Sequence, residues 1–552
     1  MLVGNVKVFV DSSKKIGEFK HIWRYIGYDE INYTTTPSGR ATLKRFANLS
    51  DGPYYVRFHH LLCTGNCRSV PKWGSTNAYV EDEDGNPIYN WTVIDLIFDT
   101  LLRFNCKPFV EIGFMPLHLA DKRGHLSFHW WYAGWNCPPK DYEKWHNLIL
   151  NLVKHCAERY RIEEVETWYW EIWNEPDLQY YWQGTFEEYC KLYDYAVAAI
   201  KKVIPKAKVG GPATTGPIPG GKSAEWLDKF LYHCVRGKNF YDGGKGSPID
   251  FISFHAKGGG YSPLWGLPRE KVKKQTPSID KLILQVKTGL DIIERYHELK
   301  GVECVVSECD PDGWAAGGVW DNPNLEFRNT EYYPTYTATA FKKIMDLSEE
   351  YGREIYLLTW AFVFEGERTF EGTRTFTTNG FDKPILNLFR MYSQMGDERI
   401  FSSIKLSEST IDLDGYYIDV LAAASSKERI EVMIFSHHDD WDVKGEYNVE
   451  LEIVNLPFAD GYFIVKHYRI DRDHSNAYTE WIRVGRPEYP NRLQSRMIKR
   501  KQGLELYEPI SKIMVENGKI VKAFNMPVHA VSLIILEPFA NDPKISKKKY
   551  LL

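Results

Sequence analysis

WYWEIWNEPD, residues 168–177, is an aromatic-rich run that ends abruptly at Asn174-Glu175-Pro176. Aromatic side chains favour strands, and a proline, which has no backbone N–H, stops the strand before it. The segment therefore reads as a strand that delivers an amide and a carboxyl at its carboxyl end. Seven more runs of similar character lie on either side of it, through residue 390: HIWRYIGY (21–28), YYVRFHH (54–60), KPFVEIGF (107–114), AKVGGP (207–212), DFISFHAK (250–257), ECVVSEC (303–309) and IYLLTWAF (355–362). Between them lie longer stretches such as KDYEKWHNLILNLVKHCAERY (140–160) and FEEYCKLYDYAVAAIKKVI (186–204), whose apolar residues recur at helical spacing. Eight strands alternating with helices predict an α/β chain whose residues 15–395 form a (β/α)8 TIM barrel with long loops. A doubly wound open sheet is the structural rival.

From about residue 404 the pattern changes to alternating strands with turn signals: DLDGYYIDVLAAA, RIEVMIFSHHDD, YNVELEIVNL, GYFIVKHYRI, VENGKIVKAFNMP and AVSLIILEP. These predict a C-terminal β-sandwich domain over residues 396–541, joined by an N-terminal strand within residues 1–14 (VKVFVD) and followed by a basic tail, 542–552. At 552 residues the chain has ample length for two such cores. Its 69 Lys plus Arg against 73 Asp plus Glu leave a formal charge of −4, which argues against a nucleic-acid partner. There is no long apolar run and no basic-then-apolar start, so the expectation is a cytoplasmic protein with no membrane partner. Nine Cys, an odd number in so long a chain, do not suggest a secreted disulfide scaffold. Aromatic residues make up 15% of the chain, with 18 Trp and 35 Tyr, which suits sugar rings as well as large cores.

In a barrel of this kind, polar residues at the carboxyl ends of the strands face the active-site mouth. Those ends supply Arg57 and His59, Asn174 and Glu175, His255 and Lys257, Glu308, and Trp360. Glu175 and Glu308 close strands on opposite sides of the barrel. Glycosidic hydrolysis needs such a pair, one carboxyl protonated to assist the leaving oxygen and the other ionised to attack carbon or activate water. Glu111 and Glu171 lie earlier on their strands and read as buried network carboxylates, and Arg57 as the supporting cation beneath Glu308.

At WEIWNEPD the chain resembles the retaining (β/α)8 glycosidases, and its flanking residues resemble glycoside hydrolase family 39, which holds β-xylosidases and α-L-iduronidases. The resemblance runs in order through YVRFHH (55–60), PFVEIGFMP (108–116), KVGGPATTG (208–216), FISFHAKG (251–258), VVSECDP (305–311), TWAFVFE (359–365) and GFDKPILNLFRM (380–391). It implies that Glu175 is the general acid/base, Glu308 the nucleophile and Asn174 a hydrogen-bond donor to the sugar 2-hydroxyl. It also implies that His59, Phe114, His255, Trp360 and Glu365 shape the sugar-binding subsite. The expected activity is a retaining exo-glycosidase, most like a β-D-xylosidase, acting on an oligosaccharide or glycoside. Neither metal nor other cofactor is needed, and homo-oligomer formation is left open.

Two departures pull toward the iduronidase branch: Lys257, which in that branch contacts the substrate carboxylate, and the turn CDPDGW (309–314) after the nucleophile. Trp360 and Glu365 follow the xylosidase branch instead, and an ionised Glu365 near the sugar repels a uronic acid. Lys257 pairing with Glu365 or Asp310 would leave a neutral-sugar pocket; the alternative is a uronidase with Lys257 as carboxylate clamp. A minor alternative of another class is nucleotide binding through GPIPGGKS (216–223), which fits the phosphate-loop pattern but carries Pro217 and Pro219 where backbone N–H groups are needed. The group His59, His60, Cys63 and Cys67 matches no standard zinc spacing.

Overall fold

In a computed structural model the described residues are 2–65, 75–121, 134–407, 415–425, 429–456 and 460–539. Eight parallel strands close into a barrel: β1 (Tyr25–Glu30), β2 (Tyr54–His59), β3 (Cys106–Ile112), β4 (Tyr169–Ile172), β5 (Lys208–Thr214), β6 (Phe251–Gly259), β7 (Glu303–Asp312) and β8 (Ile355–Trp360). Each is followed by a main helix: α1 (Pro37–Ala47), α2 (Thr92–Arg103), α3 (Tyr142–Tyr160), α4 (Phe186–Val203), α5 (Lys222–Arg236), α6 (Ile279–Ile293), α7 (Tyr332–Tyr351) and α8 (Pro384–Tyr392). The chain thus has the (β/α)8 TIM-barrel fold, and the open-sheet rival is excluded by the pairing of β8 with β1, which closes the ring. Local chemistry sets the helix starts. Asp141 accepts from the N–H groups of Glu143 and Lys144, and Thr185 forms a capping box with Glu188.

The lumen is layered because side chains on a strand alternate with period two. Toward the amino ends of the strands, Tyr25, Tyr55, Phe109, Tyr169 and Phe251 meet in an aromatic layer, with Phe109 and Tyr169 stacked at 4.8 Å and Tyr25 and Tyr55 at 5.0 Å. Tyr25 on β1 reaches Tyr169 on β4 through a hydroxyl–hydroxyl contact of 3.1 Å, a pairing only the lumen allows. Burying each ring contributes about 1.5–3 kcal/mol relative to exposure. Two residues later on the same strands stand Gly27, Arg57, Glu111, Glu171 and Ser253, and the lumen becomes polar. A register shift in β7 between Val306 and Glu308 sets Glu308 opposite His255 and Asp310 opposite Lys257 on β6.

The remaining long strands form one ten-stranded sheet, the β-sandwich part of the fold. Strand Leu2–Glu18 enters it between Glu398–Leu406, antiparallel, and Glu446–Val454, parallel. In Arg429–His438 the alternation sends Val432 and Ile434 into the sandwich core and Met433 and Phe435 against the barrel helices. The attachment is specific as well as apolar: the Tyr332 hydroxyl on α7 donates to the Asp439 carbonyl at 2.7 Å, and Thr335 meets His437 Nδ1 at 3.0 Å. Between two sheet strands the chain forms two short helices, Ala477–Arg483 and Arg492–Arg500, which have no counterpart in the strand pattern expected from sequence. Their Tyr478 and Ile498 pack with Phe370 and Phe381, so this insert rests on the loop that follows β8.

Candidate active site

Arg57, fully buried on β2, organises the upper layer. Its Nε donates to Glu171 Oε2 at 2.5 Å, one terminal nitrogen to Asn174 Oδ1 at 2.9 Å, and the other to Glu308 Oε1 at 3.2 Å, while Glu111 Oε2 lies 3.0 Å away. A buried cation of this kind persists because several acceptors surround it. His59, two residues on, places Nδ1 2.5 Å from Glu111 Oε2 and Nε2 3.6 Å from Glu308 Oε1. Burial works against its charge, but Glu111 dominates and pushes its pKa up to about 10.

Glu175 and Glu308 face a common space, and one imidazole touches both: His255 Nδ1 is 2.8 Å from Glu175 Oε1, and its Nε2 is 3.7 Å from Glu308 Oε1. Burial pulls the His255 pKa down to about 4, so the ring is neutral near pH 7. The two carboxyls are driven in opposite directions. Burial, then the charge of Glu308, raises Glu175 to about 7. Burial also opposes ionisation of Glu308, but His255, Lys257, the His59 hydrogen bond and Arg57 together hold it well below the usual carboxylate range. Glu175 sits in the left-handed backbone region (φ 43°), as do Trp173 (73°) and Ala213 (50°), and its N–H donates to the Ala213 carbonyl at 2.9 Å. Such strained residues cluster where a side chain must be aimed.

The space is a cavity of about 350 Å³ lined by Asp29, His59, Glu175, Tyr180, Tyr181, Glu308, Trp360, Arg374 and the segment Gly313–Ala316. Of the residues expected from sequence, Glu175, Glu308, His59 and Trp360 line this cavity, and Asn174, His255, Lys257 and Arg57 stand directly behind its carboxylates. Phe114 lies one layer further back, between His59 at 6.0 Å and Trp173 at 5.0 Å. Glu365 is not brought to the cavity: it is exposed and accepts from the Ser38 hydroxyl on α1. Lys257 donates to Glu308 Oε2 and Asp310 Oδ2, both at 2.8 Å.

Asp29, Tyr180, Tyr181, Trp314 and Arg374 were not expected: Asp29 lies in β1 just past the run read as that strand (21–28), and the other four stand in loops where alternation carries no information. Gly27 is also part of the construction. A Cβ there would lie 1.8 Å from Trp360 Cε3, so only glycine leaves room for the indole to cross β1. In the 216–223 loop the Ser223 hydroxyl donates to the Gly216 carbonyl at 2.9 Å, which engages the group that a phosphate loop would keep for a metal-bound nucleotide. Cys67 lies outside the described residues, and among the described residues no group of His, Cys, Asp or Glu could hold a metal ion. No described helix is long and apolar enough to cross a membrane.

Comparison with known proteins adds independent support. A β-xylosidase of Geobacillus stearothermophilus is 30% identical over 74% of this chain and 74% of its own length. A human α-L-iduronidase is 22% identical over 89% of this chain and 73% of its own. The crystal structure of a monomeric β-xylosidase from Caulobacter crescentus CB15 superimposes with a TM-score of 0.78 at 23% identity, covering 97% of this chain and all of the other. The model for glycosyl hydrolases family 39 matches residues 6–511, nearly the whole chain. With its closed barrel, added sandwich and two opposed carboxyls, the chain belongs to family 39 of the glycosyl hydrolases and is a glycoside hydrolase.

Proposed function

We propose that this chain is a retaining, exo-acting glycosidase that releases terminal β-D-xylosyl or closely related neutral sugar residues. The observation that carries the reading is the contrast between two carboxyls in one cavity, Glu175 raised to about 7 and Glu308 held well below the usual range. In the first half-reaction Glu175 gives its proton to the glycosidic oxygen while ionised Glu308 attacks the anomeric carbon. Forming the ester removes the Glu308 charge, one of the two main causes of the raised Glu175 pKa. Glu175 is then a stable carboxylate, suited to take a proton from the water that cleaves the ester.

The neutral-sugar assignment is supported by Lys257, whose ammonium already has two carboxylate partners and does not line the cavity. A uronic acid would have to compete with both. The second reading, a uronidase of iduronidase type, draws on the same lysine, since it stands beside the nucleophile, and on the likeness to the human enzyme. A panel of aryl glycosides separates the two readings. Release from the β-D-xyloside, with the β-anomer of xylose appearing first by NMR, supports the proposal. Preference for an α-L-iduronide or β-D-glucuronide, lost in Lys257→Ala, overturns it, as does first appearance of the α-anomer.

A further inference from the structure

We propose that Trp320 and its surroundings form a distal subsite for the leaving-group side of an oligosaccharide, holding the second or third sugar beyond the scissile bond; this rests on the proposed glycosidase reading. Two tryptophans stand out on the surface, Trp320 at 60% exposure and Trp265 at 74%. Indoles this exposed cost solvation without contributing to the core, yet both are held in place. Trp265 Nε1 donates to Asp321 Oδ1 at 2.9 Å, and the other oxygen of Asp321 accepts from the Gly318 N–H at 2.9 Å, fixing the turn that carries Trp320. The guanidinium groups of Arg269 and Arg368 lie 5.2 and 4.8 Å from the Trp320 ring centre, and Arg368 is in turn anchored by Glu488 at 2.9 Å.

Beside Trp320 opens a second cavity of about 320 Å³, walled by the insert that carries Tyr478 and Trp481. Two bonds zip its loops to those of the catalytic cavity. Arg374 N–H donates to the Ala315 carbonyl at 2.9 Å, and Val319 N–H donates to the Glu371 carbonyl at 2.8 Å. Ala315 and Arg374 line the catalytic cavity, whereas Val319 and Glu371 line the second. Four residues of extended chain span at most about 14 Å, which places the two spaces within reach of one short oligosaccharide.

The lining favours a sugar over a protein partner. Arg269, Arg368 and Arg486 are balanced by Glu326, Glu371 and Glu488, so the wall offers planar hydrogen-bonding groups around an aromatic face with no net charge. Sugar rings present an apolar face ringed by hydroxyls, which this arrangement complements. A protein interface of ordinary stability buries about 800 Å² on each partner, far more than one indole and its pocket supply.

The test compares kcat/KM on an aryl β-D-xyloside and on xylo-oligosaccharides of increasing length, for the full chain and for Trp320→Ala. The expected result is a rise with chain length beyond the disaccharide that Trp320→Ala removes, by about three- to tenfold through KM, with the aryl xyloside unaffected. Trp320→Phe, which keeps a ring, retains part of the rise. A flat length profile, or an equal loss on the aryl xyloside in the variant, overturns the subsite and leaves the glycosidase reading standing. Failure of the unmodified chain on both the aryl xyloside and xylobiose overturns the neutral-sugar reading itself, and the subsite with it.

Discussion

Tyr25, Tyr55, Phe109, Tyr169 and Phe251 fill the amino-terminal half of the barrel lumen, and Gly27, Arg57, Glu111, Glu171 and Ser253, two positions later on the same strands, fill the next layer. The first layer is held by ring packing and dispersion, which add up from many weak contacts and tolerate small changes. The second is held by a single guanidinium shared among carboxylates, where removing one member strands the others without water. The barrel therefore keeps its stability at one end and its chemistry at the other, within the reach of one strand residue pair.

The largest effect that breaks this comparison is at the mouth. Glu308→Ala is expected to lower kcat on an aryl xyloside by at least about 10⁴-fold, with some loss of melting temperature because Arg57 and Lys257 each lose a carboxylate partner. Next comes Arg57→Met. With Glu171 left without its buried cation, and Glu111 and Glu308 each losing one of theirs, unfolding in urea should show a loss of about 3–5 kcal/mol, and in the surviving folded enzyme the acid limb of the pH profile should move upward, since Arg57 helps keep Glu308 ionised.

A smaller effect sharpens the assignment of Glu175. Its raised pKa means that the acid is protonated below pH about 7 and loses its proton above it. The kcat/KM of an aryl glycoside with a poor leaving group should therefore fall about tenfold per pH unit on the alkaline side. Activated leaving groups, which need little protonation, should show a shallower fall. The smallest effect belongs to the other layer: Tyr169→Phe removes the 3.1 Å contact to Tyr25 and should cost about 1 kcal/mol of stability. Its kcat should stay that of the parent, and a marked loss of kcat would show that the two layers are not independent.

Much of this was legible in the sequence because strands and helices declare themselves through local periodicity. KPFVEIGF and DFISFHAK became β3 and β6 within two residues at each end, and the helical stretches 140–160 and 186–204 became α3 and α4 just as closely. The two carboxyls were legible too, because a strand end is a fixed place in a barrel. The helices Ala477–Arg483 and Arg492–Arg500 were not. Their second member reads RLQSRMIKR, a basic and polar run with a single buried residue, Ile498, and it gains its place only by packing on a loop more than a hundred residues earlier. The position of Glu365 was not legible for a related reason: it lies five residues past Trp360, beyond the end of β8, where chain direction no longer follows from the pattern.

The sequence by itself determined the order of the elements, the barrel class and the strand ends from which Arg57, His59, Asn174, Glu175, His255, Lys257 and Glu308 project, since these follow from spacing along one chain. Only the tertiary structure decided how those residues share their charges. That His59 is driven to about 10 and His255 to about 4, although both are histidines at strand ends, depends on Glu111 standing 2.5 Å from one and on burial dominating at the other. Electrostatic balance is a property of distances across the lumen, and those distances exist only once eight separate strands have closed into a ring.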